Sequence, residues 1–527
     1  MIGLRPAPVR VEAPAPSRRS LALPPLVLLL LGGWLLSRGH GFWYDELYTA
    51  EVVQVRWGDL WHAYVWGEGT IPYLGDAPPS YNFAYYVVAK AWLTLTPLAA
   101  NEAGLRLLSL LAMAAAVAVF VRVAHLLGGW CLSPPSAVDR PASGRLAAQR
   151  CWSEAGRPPR RVAPNAKDTG LLGGSRLGVA AGLAMAANPF VVQFAAEARG
   201  YGLAVLATAL AALGVVRWLD GEAGLRLYGL AGAVAGLMHW FALLPVAALA
   251  GAAVVLRGRR AARPVVAAAG LAALPTLAVV GTAVANGVGG SGAEWISDVG
   301  LAVPRLLLRS WTAARWPLAV VTVALAAWGL ARGGLGRTPR VVAVAWVAVP
   351  VALVTAIEPI RPLFVDRYLL PSLLGLALLV GLGVAALPRR AGIAALAAVV
   401  AVSGWASVAE VGLGPKEDVR GAVDWLAARA GPGEPVVAAA RWDALGADHY
   451  ARRHHSDLVD RLVLPPAPLP DEPVLWVVRR AKGGVKGDRT KLEALDADLA
   501  GRGLRLTDQR RFDGRYADVL VQRWSAA

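Results

Sequence analysis

The chain is short of the residues that build several common kinds of protein. Only two cysteines stand among its 527 residues, Cys131 and Cys151. Both fall in a Pro/Ser/Arg-biased insert expected on the cytoplasmic side, where thiols stay reduced, so the exported parts have no disulfide framework. The sequence has no Walker loop, no His-Glu-x-x-His, no Cys-x-x-Cys pair and no Gly-x-Ser-x-Gly elbow, which argues against nucleotide hydrolysis, zinc proteolysis and serine hydrolysis. Acidic residues are also scarce, 36 against 53 Lys and Arg, for a formal charge of +17. That excess does not point to nucleic acid. The basic residues come in short bursts between apolar runs, as at Arg257, Arg259, Arg260 and Arg263, at Arg332, Arg337 and Arg340, and at Arg389 and Arg390; this is the positive-inside pattern of membrane proteins.

What the chain has in quantity is apolar sequence. Hydrophobic residues make up 56% of it, and runs of about 20 such residues are what a membrane helix needs. The reading is a polytopic α-helical membrane protein with eleven spans, near 21–37, 104–127, 176–192, 200–219, 226–239, 241–256, 264–284, 313–331, 341–357, 369–387 and 391–408. The basic bursts put the N-terminus in the cytoplasm and the C-terminus outside. Residues 1–20 read as a disordered cytoplasmic N-terminus, 21–410 as the membrane domain, 38–103 as an external loop and 128–175 as the cytoplasmic insert. The first run is expected to be an anchor rather than a cleaved signal peptide, because the acidic, aromatic loop follows it at once. Residues 81–97 are apolar but are expected to lie in the interface, since a span there would move the basic loops outside.

From Gly412 onward charge returns. The pattern predicts a helix near 416–430, a strand at Pro435–Ala439, a helix near 442–453, a strand at Val474–Arg479, a helix near 490–502 and strands near 504–524. Residues 411–527 thus read as a small extracytoplasmic α/β domain.

Fourteen of the forty aromatic residues lie between Phe42 and Trp92, as expected of a loop at headgroup depth. Within it stands Trp43-Tyr44-Asp45-Glu46. One of the two carboxylates is a candidate general base, although acids also suit the first turn of a helix. Asp76, before Pro78 and Pro79, is either a turn cap or a ligand. Glu197 and Arg199 lie between two apolar runs, where charge must pair, face water or bind something. Arg367 and Tyr368, just before another run, could hold a phosphate through a guanidinium fork. His239-Trp240 reads as an interfacial belt pair.

The blocks Trp43-Tyr44-Asp45-Glu46-Leu47-Tyr48-Thr49-Ala50, Asp76-Ala77-Pro78-Pro79-Ser80-Tyr81, Leu105-Arg106-Leu107-Leu108-Ser109, Glu197-Ala198-Arg199-Gly200-Tyr201 and Arg367-Tyr368-Leu369-Leu370-Pro371 together resemble the C-type glycosyltransferases of the protein O-mannosyltransferase and aminoarabinose-transferase group. The resemblance covers the first four hundred residues. It implies transfer of a mannose- or arabinose-type sugar from a polyprenyl-phosphate donor to a glycan, lipid or protein acceptor outside a bacterial plasma membrane. It further implies Asp45 as base with Glu46 beside it, and Asp76, Tyr81, Arg106, Glu197, Arg199, Tyr201, Arg367 and Tyr368 as substrate-binding residues. A divalent cation, Mg or Mn, on Asp45 or Glu197 is part of the same expectation. Ala77 stands where many relatives carry His, which bears on donor and metal use.

The chemistry agrees with that reading. A prenyl phosphate is already a good leaving group, so one carboxylate to take the acceptor proton and cations to hold the phosphate suffice, and displacement opposite the phosphate inverts the anomeric carbon. The competing reading is a lipid or polysaccharide transporter or flippase, which would place ionisable residues at mid-membrane depth.

Overall fold

The computed structural model describes residues 17–75, 77–129, 173–259, 262–287, 296–332, 336–411, 414–481 and 486–526. The expectations on residues 1–16, on Asp76 and on nearly all of the insert with both cysteines lie outside these residues.

The protein is a multi-pass helical membrane protein. Among the described residues eight helices are long and apolar enough to cross a bilayer, and two further pairs pass that test as bent units: Arg176–Ala186 with Pro189–Ala195, at 66°, and Gly300–Trp311 with Trp316–Ala331, at 107°. The remaining expected span corresponds to Leu225–Met238, 14 residues, whose length of about 21 Å falls short of the hydrocarbon thickness. It lies packed between Tyr201–Leu219 and Ala262–Ala285. The expected span 313–331 begins three residues later than the sequence suggested, at Trp316. Thr312 to Arg315 turn the chain there, with Ala313 and Ala314 in left-handed backbone (φ 47° and 55°), so that Val303–Trp311 lies across the end of the bundle.

Burial sorts the helices. In Asp366–Ala386, 83% of the apolar window is covered by protein, against 17% in Arg18–Ser37 and in Ala262–Ala285; the first is therefore central and the other two present their side chains to lipid. Leu26, Leu30, Leu271, Leu274 and Leu277 are accordingly exposed. Small residues bring the central helices together. At Gly383 an added Cβ would lie 2.0 Å from the Leu325 carbonyl oxygen, and at Gly202 it would lie 2.5 Å from that of Ser109.

Between α1 (Arg18–Ser37) and α5 (Glu102–Gly129) come three short helices, α2 (Tyr44–Val52), α3 (Trp57–Trp66) and α4 (Phe83–Leu95). At 13 residues α4 is too short to span. Trp57, Trp61 and Trp66 on α3 remain exposed, which suits headgroup depth.

The last part of the chain forms a five-stranded sheet of β1 (Val436–Ala438), β2 (Leu462–Val463), β3 (Val474–Ala481), β4 (Leu504–Phe512) and β5 (Asp518–Ala526), in the order β2-β1-β3-β5-β4. β1 pairs parallel with β2 and β3, while β5 runs antiparallel to β3 and β4. The two-residue β2 is too short for a periodicity argument, and the sequence reading missed it. Helices Val419–Ala427, Arg441–His454 and Lys486–Gly501 accompany the sheet. Arg441–His454 packs on α2: the Tyr44 and Trp442 rings are 4.5 Å apart, the Phe42 amide donates to the Tyr450 hydroxyl at 2.6 Å, and Glu51 takes His449 at 2.6 Å and Arg452 at 2.8 Å. The sheet region is thus fastened to the loop that carries the acidic pair.

Candidate active site

The site grows from the first turn of α2. Trp43 is the N-cap, and the next residues place Asp45 and Glu46 side by side in sequence but about 100° apart around the helix. They reach different surroundings. Glu46 points inward and is fully buried. Its Oε1 accepts from Arg106 Nε and from the Ala198 amide, both at 2.8 Å, and its Oε2 accepts from Arg106 Nη2 at 2.5 Å and the Trp43 amide at 3.4 Å. Arg106 gives its remaining donors to the carbonyls of His40 (2.7 Å) and Gly41 (2.9 Å). The pair therefore fixes α1's end, α2, α5 and the 196–200 turn to one another, and most of the Arg106 N–H groups are given to protein acceptors.

Asp45 points the other way. Its carboxylate lies 3.7 Å from Arg367 Nη2, and its backbone carbonyl accepts from Arg199 Nη1 at 3.3 Å. Burial works to raise its pKa, but Arg199, Arg367, Lys416 and Arg480 together hold the carboxyl below the ordinary value. Arg367 Nε donates to Tyr201 OH at 3.0 Å, and its guanidinium faces the Trp43 ring at 5.8 Å and the Tyr368 ring at 5.7 Å. Four blocks of sequence, carrying Asp45, Glu197 to Tyr201, Arg106 and Arg367, thus meet at one end of the bundle.

Below this cluster the His239 ring is buried against Tyr201 (5.4 Å) and Tyr368 (4.8 Å). The sequence suggested an interfacial belt residue; the break between Met238 and Trp240 turns the ring into the protein instead. Glu358, fully buried, accepts from the amides of Leu363 (2.9 Å) and Phe364 (2.8 Å) and shapes the loop leading to Arg367. Tyr81 lies in a short 3-10 turn, Pro79–Asn82, but its side chain is outside the described residues.

Three contributors come from beyond the last span, among residues that the sequence reading did not single out. Lys416 Nζ pairs with Glu197 Oε1 and lies over the rings of Trp43 (4.2 Å), Phe194 (5.0 Å) and Tyr516 (5.0 Å). Glu417 accepts from the Tyr44 amide at 3.3 Å at the start of α2 and from Arg480 Nη1 at 3.2 Å. Arg480 in turn sits 4.4 Å from the Tyr44 ring. The one signal in sequence was the charged run Lys416-Glu417-Asp418 a few residues after the last span, as Asp366-Arg367 stands a few residues before one.

Beside this cluster opens a cavity of about 390 Å³, walled by Gln193, Arg309, Ser310, Asp366 and Tyr516 together with Phe190 and Phe364. Asp366 joins it to the acidic centre, accepting from Ser310 Oγ at 2.7 Å on one oxygen and from the Arg367 amide at 2.7 Å on the other. The volume lies in the range of small-molecule sites.

Among the described residues the side chains do not gather into a site for the expected divalent cation: no three His, Cys, Asp or Glu side chains form a group that could hold a metal. Asp45 faces an arginine, and Glu197 already holds an ammonium.

The fold is one already seen. The crystal structure of ArnT from Cupriavidus metallidurans bound to undecaprenyl phosphate superposes over 96% of this chain and 98% of its own, with a TM-score of 0.55 at 13% identity. The apo structure of the same protein gives 0.55 at 14% identity, over 95% and 97%. At such identity the likeness establishes the fold, a C-type glycosyltransferase architecture. No family model and no curated protein sequence matches the chain.

Proposed function

We propose that the protein is an integral-membrane glycosyltransferase that moves a sugar from a polyprenyl-phosphate donor to an acceptor hydroxyl, with inversion. The observation that carries the reading is the Asp45 carboxylate, held ionised among Arg199, Arg367 and Lys416 beside a cavity large enough for a sugar, in a fold shared with a protein solved with undecaprenyl phosphate bound.

In this reading Asp45 takes the proton of the acceptor hydroxyl as that oxygen attacks the anomeric carbon. The bond to phosphate breaks on the opposite face. A phosphodiester becomes a monoester that carries more negative charge, and Arg367, already oriented by Tyr201, stabilises the charge as it develops. The donor's phosphate also draws the arginine away from Asp45, so the carboxylate becomes a better base only when donor is present. Glu46 and Arg106 hold α2 in place, and Arg199 fixes the backbone at Asp45. Glu197 belongs to the same centre through its pairing with Lys416.

The gathering of ionisable side chains at one end of the bundle supports transfer over transport, which would use them at mid-depth. With the positive-inside pattern, that end and the sheet region are assigned to the extracytoplasmic side. Purified protein in nanodiscs, supplied with polyprenyl-phosphate mannose or arabinose-type donors and a hydroxyl acceptor, is expected to release polyprenyl phosphate and form the inverted glycoside. Failure to turn over any such donor, with a periplasmic reporter silent after Ala527 and active near Arg161, would overturn both the activity and its placement.

A further inference from the structure

Lys416 is held unlike the other cations of the site. Its chain segment is clamped to the sheet region, where the Lys416 carbonyl accepts from the Tyr516 amide at 2.9 Å and the Pro415 carbonyl from the Arg515 amide at 3.1 Å. The clamp needs Gly514, whose added Cβ would lie 2.6 Å from the Lys416 oxygen. From that fixed backbone the side chain reaches between Trp43, Phe194 and Tyr516 to Glu197 Oε1. Glu197 is a poor resting partner. Among the described residues its Oε2 has no hydrogen-bond partner and is shut away from solvent, and burial pushes its carboxyl above the ordinary value although Lys416 works against this. The indole of Trp43 carries Lys416 on one contact and Arg367 on another, and both cations depress Asp45. Lys416 therefore stands within the same electrostatic neighbourhood as the arginine assigned to the phosphate.

We propose that Lys416, supplied from beyond the last span, is a second phosphate-binding cation, and that it exchanges Glu197 for the prenyl phosphate as the sugar leaves. The inference rests on the reading of the site as a prenyl-phosphate transferase. A lysine suits the exchange, because its flexible stem carries a compact charge that can be re-aimed from one anion to another. The aromatic walls give the ammonium a favourable surface during the move. The exchange makes the sheet region part of the catalytic machinery, since Lys416 is placed by its hairpin.

The test is the affinity of a short-chain polyprenyl monophosphate for the full chain in nanodiscs, in three proteins. Lys416→Met is expected to weaken binding about tenfold or more, the range of a charge-assisted hydrogen bond. Glu197→Gln is expected to tighten it, because the ammonium is then no longer held by a competing carboxylate. Opposite signs support the exchange. If both substitutions weaken binding, the pair is only a structural tie and the inference is overturned, as it is if neither changes it. Should Lys416→Met not fold, the sign for Glu197→Gln decides alone: tightening supports the exchange, and weakening or no change refutes it. Wild-type protein that fails to bind the monophosphate at all overturns the transferase reading with it, whereas wild-type binding with the wrong signs overturns only the role of Lys416.

Discussion

Converting Asp45 and Glu46, in separate proteins, to their amides should give opposite phenotypes from the same chemical change. Asp45→Asn removes a carboxylate that is about one-fifth exposed and meets its nearest arginine at 3.7 Å; an ion pair that long and partly wetted contributes at most about 1 kcal/mol. Folding should barely change, while loss of the proton acceptor should lower turnover about 10²–10⁴-fold. Glu46→Gln keeps the shape but puts an amide NH₂ where an oxygen now receives two donors. Whichever oxygen it replaces, the new group faces an Arg106 N–H and a backbone amide. The Arg106 charge, only 8% exposed, is left without its counter-ion, and breaking such a buried pair costs about 3–5 kcal/mol. The assay is thermal unfolding in detergent together with single-turnover transfer. Glu46→Gln should unfold at clearly lower temperature, and Asp45→Asn should melt like the wild type but turn over slowly. The reasoning fails if Asp45→Asn retains more than about a tenth of the turnover, or if Glu46→Gln melts normally and is inactive, which would move the base to Glu46.

The pH dependence should carry the same logic. Asp45 is held below the ordinary carboxylate range in the free protein, so kcat/KM should stay flat from neutrality down through that range and fall only in stronger acid, where the stability contributed by the ionised group is also lost. With donor bound the arginine turns to phosphate, and the acid limb of kcat should lie at higher pH than that of kcat/KM; coincident limbs would show that Arg367 never leaves Asp45. Arg367→Ala should weaken donor binding and slow transfer together, and Arg367→Lys should restore part of both, because it keeps charge but not the fork; unchanged values would remove Arg367 from the phosphate site. Gly383→Ala drives a methyl into the Leu325 backbone at 2.0 Å, and overpacking of this kind costs about 1–3 kcal/mol; a melting temperature equal to the wild type would mean the two helices separate freely.

The sequence by itself determined the class of the protein. Apolar runs of membrane length and basic bursts between them follow from local composition, and each expected span has a helix or a bent pair behind it. The same holds for the strands β1, β3, β4 and β5, because short runs of strand-forming residues bounded by turn residues are a property of neighbouring positions. Asp45, Glu197, Arg199 and Arg367 were visible as candidates for a related reason: charge beside an apolar run is locally costly and therefore conspicuous. Only the tertiary structure decided which of them face each other. Sequence adjacency made Asp45 and Glu46 look interchangeable, and the helical turn between them sends one carboxylate to Arg367 and the other to Arg106. Lys416, Glu417 and Arg480 lie tens to hundreds of residues from their partners on the other side of the chain, and no local pattern encodes that meeting. It depends on Arg441–His454 docking on α2, through contacts such as Tyr450 with Phe42 that exist only once both segments are folded. Local composition writes the helices, and long-range packing, which alone can bring opposite charges together against the cost of desolvating them, assembles the site.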